Sequence, residues 1–238
     1  MNKKINTKLA KLIKYYSLIN HNLIYKNQSI NRYKINNLNY TAKNKVEKLL
    51  KLKDLIGSIK NCELKKNATN LVFADGNLNS KLMIIGEGPG ANEDKEGVPF
   101  VGRAGKLLDK MLLSIKLDRK NVYITNVVNY RPPENRKPTD KEIARYLPYL
   151  IKHIEIINPK ILILLGSTAL NTIIGNEEVI SKARGKWIKK NIGKCSTSVI
   201  ASFHPAFLMR QPEQKKMAWI DLKMIRQKIK ELKIKIEK

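Results

Sequence analysis

From residue 80 onward, short apolar runs alternate with stretches of helical period. KLMIIG (81–86) is an uninterrupted apolar run closed by glycine, the pattern of a strand buried on both faces. RAGKLLDKMLLSI (103–115) repeats its apolar positions at three- and four-residue spacing and predicts a helix. NVYITNVV (121–128) predicts a second strand, followed by a proline-rich turn and a helix from about Lys141 to Ile157, with Thr139 or Asp140 as its N-cap. KILILLG (160–166) predicts a third strand that runs into a helix over STALNTIIG, and TSVIASFHPA (197–206) a fourth. Residues 214–232 predict the last helix, ahead of a basic tail. Strands alternating with helices imply an α/β fold, a mostly parallel four-stranded central sheet flanked by helices. Ligands bind such sheets beyond the carboxyl ends of the strands, and three of these four ends carry unusual chemistry.

Upstream, NKVEKLLKLKDLIGSIK (44–60) puts Val46, Leu49, Leu50, Leu52, Leu55, Ile56 and Ile59 on one expected stripe, that of a helix packing on the core. Composition changes near residue 46, because residues 1–46 hold ten Lys or Arg and no acid. The expected organisation is a basic N-terminal extension over 1–45, partly helical or disordered, and a globular domain over 46–238. Leu9, Leu12, Ile13, Tyr16 and Leu18 lie at near-helical spacing in the extension. It reads either as a basic arm for DNA or, with preference, as a solvated extension.

Charge adds a partner class to this picture. The 238 residues carry 47 Lys or Arg against 20 Asp or Glu, a formal charge of +27 that points to nucleic acid or an anionic membrane surface. Lysine supplies 38 of the 47 cations and Ile and Asn abound, the bias of A/T-rich codons, so footprint and codon usage compete evenly as causes. With 42% apolar residues the chain can bury a core. Cys62 and Cys195 are too few for a disulfide scaffold, and neither belongs to a metal-ligand pair. No run of about 18 uncharged apolar residues predicts a membrane span, and the basic start lacks the apolar stretch of a secretory signal, so the expected location is cytoplasmic.

The candidate chemistry sits at the strand ends. After the first strand, Gly86, Gly88 and Gly90 allow a sharp turn and close backbone approach, while Glu87, Glu93 and Asp94 would repel a phosphate. The stretch matches neither G-x-G-x-x-G nor G-x-x-x-x-G-K-[ST], which disfavours a Rossmann-type nucleotide enzyme. A neutral polar ligand, or a water held beside a carboxylate, suits it better; a tight structural turn is the plain alternative. Phe100 lies between glycines and proline, where a ring can stack on a base, although a core phenylalanine is the commoner use. Asn126 ends the second strand and offers the donor and acceptor that match the N3–H and O4 of uracil; a turn asparagine is the alternative. His204 ends the fourth strand before Pro205, a place from which it can hydrogen-bond a developing anion, and Arg210 follows as a phosphate contact.

These residues carry a resemblance. GEGPGANEDKEGVPFVGRAGKLL, VYITNVVNYRPPENR and FHPAFLMR resemble signature segments of the type-4 uracil-DNA glycosylases, and the match runs in order from about Ser58 to Leu222, through NLVFADGN, PYL, INPKILILLG, RGKW and Trp219 to Leu222. The resemblance implies a DNA glycosylase that hydrolyses the N-glycosidic bond of uracil in DNA, the first step of base-excision repair of deaminated cytosine. It implies Glu87 and His204 as catalytic, Glu87 in the catalytic loop and His204 stabilising the departing uracil. It further implies uracil binding by Gly88, Glu93, Phe100 and Asn126, with Glu93 in the wall that excludes thymine. The expected partner is uracil-containing DNA, with no membrane and a monomeric protein.

One departure stands out. The family usually holds a [4Fe–4S] cluster on four cysteines, and the corresponding positions here are Ile59, Cys62, Tyr130 and Tyr146. Such a cluster needs thiolates, so no cluster and no other cofactor is expected, with Ile59 and the tyrosines packing in its place. The alternative function is a non-catalytic DNA-binding protein that kept the fold and lost turnover.

Overall fold

The computed structural model describes residues 36–175 and 179–236. The chain divides into two compact units, Met1–Tyr40 and Thr41–Lys238. The expected helical stretch at Leu9 to Leu18 lies outside the described residues.

Helix α1 (Asn36–Gly57), most of which belongs to the second unit, and the short α2 (Glu63–Asn67) precede the sheet. The α1 stripe is narrower than expected. Leu49, Leu52 and Ile56 are buried, whereas Leu50 and Leu55 are exposed, because at 100° per residue those two fall to either side of the core-facing line. Ile59 lies past the helix end.

Among the described residues the sheet has six strands. Four parallel ones form its centre: β2 (Leu82–Gly86), β3 (Tyr123–Asn126), β4 (Ile161–Leu165) and β6 (Cys195–Ser202). Each contains one of the four apolar runs. Two antiparallel strands, β1 (Asp75–Gly76) against β3 and β5 (Trp187–Ile192) against β6, complete the order β1-β3-β2-β4-β6-β5. These edges escaped the apolar pattern for a physical reason. Two residues leave no period to read, and β5 carries Lys189 and Lys190 where an edge must discourage pairing with another chain.

Alternate side chains face two helical layers. Met83, Ile85, Tyr123, Leu162, Leu164 and Val199 join the core with α1, α5 (Asp140–Ile157) and α6 (Ser167–Ile174). Leu82, Ile84, Ile124, Ile163 and Ile200 face the core holding α4 (Arg103–Ser114), α8 (Pro205–Arg210) and α9 (Lys215–Glu231). Each fully buried Leu or Ile contributes roughly 1.5–3 kcal/mol, so the strands are fixed by both faces at once. Thr139, not Asp140, caps α5, accepting from the Glu142 N–H while Glu142 accepts from the Thr139 N–H at 2.7 Å. Two further short helices are α3 (Ala91–Glu96) and α7 (Ile180–Ala183).

In this order β3 lies on one side of β2 and β4 on the other. The chain therefore leaves β2 toward β3 and leaves its neighbour β4 in the opposite direction, toward β5 and β6, which opens a crevice beyond the carboxyl ends of β2 and β4.

Candidate active site

A cavity of about 180 Å³ occupies this crevice, and Glu87, Gly88, Glu93, Phe100, Asn126 and His204 all line it. They come from the ends of β2, β3 and β6, from α3 (Ala91–Glu96) and from the loop ahead of α4. Six residues singled out in the sequence thus meet across more than 100 positions of chain.

Gly86 makes the meeting possible. A Cβ there would sit 2.4 Å from Asn126 Oδ1 and 2.5 Å from the Phe100 ring. The ladder between β2 and β3 continues past the strands, with Val127 N–H donating to the Gly86 carbonyl at 3.0 Å and Val128 N–H to that of Glu87 at 3.2 Å. Asn126 is consequently held at the cavity wall, 3% exposed, and among the described residues its buried Oδ1 has no hydrogen-bond partner. A buried unsatisfied acceptor costs about 1–3 kcal/mol, a penalty that a ligand N–H would remove.

Phe100 adopts φ +56, the left-handed region that a bulky residue avoids. Two contacts impose it. Arg119, anchored by Asp75 at 2.5 Å and Asp109 at 2.9 Å, donates to the carbonyls of Pro99 and Phe100. Gly105 passes so close that a Cβ would lie 1.7 Å from the Phe100 oxygen. Gly105→Ala is therefore expected to displace the Phe100 loop and lower stability by about 1–3 kcal/mol, the range for overpacking. Thermal unfolding checks this; an unchanged Tm would show that the loop yields freely.

The two glutamates of the first loop behave differently. Glu93 is committed to the backbone: its Oε2 accepts from Gly90 N–H at 3.1 Å and its Oε1 from Gly102 N–H at 2.7 Å, closing both glycine turns. Glu87 instead accepts a hydrogen bond from the Thr168 hydroxyl on one oxygen, Oε2. Asp94 points away from the cavity, buried, with the N–H groups of Thr69 and Asn70 on its Oδ1.

His204 caps α8, its Nδ1 accepting from Ala206 N–H at 3.2 Å. That bond leaves the proton on Nε2, a donor. Burial, aided by the positive charge of Arg210, lowers the His204 pKa to about 4. The ring is thus neutral through physiological pH, and its NMR signals are expected to stay constant between pH 5.5 and 8. An inflection near 6.5 would contradict this environment. The Phe100 and His204 rings lie 5.6 Å apart across the cavity. Arg210 itself is exposed at the end of α8 and does not line the cavity.

The outer wall is the proline-rich turn. Pro132, Asn135, Arg136 and Pro138 line the cavity, and Glu134 and Asn135 both have positive φ. Arg131 Nε holds the Asn135 side chain at 2.9 Å, and Arg136 grips Glu142 through two bonds of 2.7 and 2.8 Å, which lowers the Glu142 pKa to about 2.

Comparison with known proteins gives this arrangement a relationship. The Uracil DNA glycosylase superfamily profile matches residues 73–223. The chain belongs to that superfamily. It is 47% identical over 150 residues to the type-4 uracil-DNA glycosylase of Thermotoga maritima, covering 63% of this chain and 77% of the relative. It is 41% identical over 187 residues to the type-4 enzyme of Sulfurisphaera tokodaii, covering 76% and 85%. The type-4 enzyme of Archaeoglobus fulgidus is 40% identical over 174 residues, covering 71% and 87%.

The four positions that the type-4 resemblance assigns to cluster ligands also converge. Cys62, Tyr130 and Tyr146 are buried in one apolar core with Ile59 packed against it, and Cys62 Sγ lies 3.3 Å from Tyr146 Oη. Burial raises the phenol pKa of both tyrosines, most strongly that of Tyr146. One thiol, two neutral phenols and an alkyl group do not fit an iron–sulfur cluster. Cys195 is elsewhere, 3.0 Å from Asn158 Oδ1.

Two functional neighbours escaped the sequence reading of this superfamily member. Thr168 and Arg119 carry no local signal, since each acts on a partner at least 19 positions away. A hydroxyl just past the carboxyl end of β4 was the only available clue to the first.

Proposed function

We propose that this protein is a uracil-DNA glycosylase that hydrolyses the N-glycosidic bond of uracil in DNA and so starts base-excision repair, as a monomer in the cytoplasm and without an iron–sulfur cluster. The observation that carries the reading is the unpartnered Asn126 acceptor facing the same cavity as Phe100 and a neutral His204.

The target nucleotide leaves the stack at a cost of a few kcal/mol, least where deamination has left a mismatch. Stacking on Phe100 returns about 1–3 kcal/mol of this. Asn126 accepts from uracil N3–H and its amide donates to O4, while Glu93 holds the two glycine turns that shape the wall against a 5-methyl group. As the C1′–N1 bond lengthens, negative charge grows on uracil and positive charge on the sugar. His204 Nε2–H donates to the anion as it forms and keeps its proton, so the departing uracil is stabilised by a fixed hydrogen bond. Glu87 orients the water that attacks C1′ and takes its proton, so the products are free uracil and an abasic site. Arg210 and the arginines of the outer wall meet DNA phosphates.

The test is an oligonucleotide with a single uracil, incubated with protein and then treated with alkali. Cleavage at that position is expected for the wild type and not for His204→Ala/Asn126→Ala. Equal cleavage by both would end the enzyme reading; DNA binding without cleavage would support the non-catalytic alternative. Protein purified without air is expected to contain no stoichiometric iron and to cleave equally after chelator treatment.

A further inference from the structure

We infer that Thr168 is a positioning residue for Glu87, selecting which carboxylate oxygen is left to hold the attacking water; this rests on the proposed role of Glu87. Thr168 does not line the cavity, so it reaches the reaction only through the carboxylate. Its hydroxyl donates to Glu87 Oε2. A carboxylate has two oxygens and turns about its last bond, so an unheld Glu87 would present either one. With Oε2 occupied, Oε1 is the oxygen left for water.

The fold makes Thr168 a rigid donor. It lies in the first turn of α6, which starts directly beyond β4, the strand paired with β2 on the side away from β3. Gly166, at φ +88, turns the chain there, and a Cβ on it would come within 3.1 Å of His204 Cβ. The neighbouring Ala169 and Leu170 are buried in the core, and the Thr168 carbonyl accepts from Thr172 Oγ1 at 2.7 Å. One short turn thus touches the glutamate on one side and the histidine on the other. The bond ties the ends of two neighbouring strands at the point where the sheet connections diverge, so Glu87 and His204 are set from a common base.

Thr168→Val keeps the shape and removes the hydroxyl; Thr168→Ser keeps the hydroxyl. Thr168→Ala removes the hydroxyl without adding apolar bulk and must behave as valine does. For valine and alanine, single-turnover rates on uracil-DNA are expected to fall about tenfold or more, as misplaced reacting groups do, with KM, DNA affinity and Tm nearly unchanged. Serine is expected to restore the rate to within a few fold of wild type. Wild-type rates in both valine and alanine, or equal losses in serine and valine, would overturn the inference, the second outcome marking a packing role. Glu87→Gln separates the two levels. If glutamine at 87 leaves turnover intact, the reading of Glu87 fails; if it abolishes turnover while valine at 168 does nothing, only the inference fails. In the combined Glu87→Gln/Thr168→Val variant, the loss is expected to equal that of Glu87→Gln alone, since coupled residues do not add.

Discussion

His204→Ala is expected to lower the rate of uracil release by two to three orders of magnitude. Removing one donor aimed at developing charge typically costs about 3–4 kcal/mol in a water-poor site. The ring is half-buried, neutral and already fixed by the bond from Ala206 N–H to Nδ1, so Nε2–H needs no reorganisation as charge appears. The same bond gives the alanine variant a second defect, a lost helix cap worth about 1 kcal/mol. His204→Asn separates the two effects, because asparagine caps well but its amide is too short to replace Nε2. The asparagine variant should be about as slow as alanine and nearly as stable as wild type. Single-turnover kinetics with parallel thermal melts decide it. A rate loss under tenfold in both would remove His204 from the chemistry.

Asp221→Ala should produce the largest change in stability. Asp221 is fully buried and Arg184 nearly so, joined by bonds that include 2.9 Å from Arg184 Nε to Asp221 Oδ2, with Ser202 Oγ donating to the same oxygen at 2.7 Å. Burial raises the Asp221 pKa in spite of these partners, so desolvation outweighs the attraction of the pair. Removing the carboxylate strands a guanidinium in the core, at about 3–5 kcal/mol, whereas an apolar replacement of both partners is often neutral. At about 2–4 °C per kcal/mol for a unit of this size, the Tm should fall on the order of 10 °C. Arg184→Met/Asp221→Leu should recover most of that. It should not recover activity, because Arg184 also sits over the Phe203 ring at 5.5 Å, one residue before His204. A double variant that is both stable and fully active would show that the pair serves packing alone.

These two residues also illustrate what the sequence made legible. RGKW and the segment from Trp219 to Leu222 were visible as motifs, but that Arg184 and Asp221 meet could not be read from either, since nothing local in a helix or strand records a partner 37 positions away. The central strands were legible because burial on both faces gives each a short, nearly continuous apolar run, with polar residues confined to strand ends and to the start of β6. The site loops were legible because each breaks such a run with glycine, asparagine or histidine where a sheet presents its ligands. Glu93 shows the limit within a motif. Its presence in the loop was plain, but its engagement with the N–H groups of Gly90 and Gly102 depends on the turn from α3 toward α4. The left-handed Phe100 was equally hidden, because the sequence displays the ring and not the torsion that Arg119 and Gly105 force on it.

That torsion limits how the site can be transplanted. Copying the six cavity residues onto another parallel sheet would reproduce their identities and lose the direction of the aromatic face. A working graft needs Asp75, Gly105, Asp109 and Arg119 as well, none of which lines the cavity. The smallest portable unit is therefore the wall of the cavity together with the frame that bends Phe100 over it.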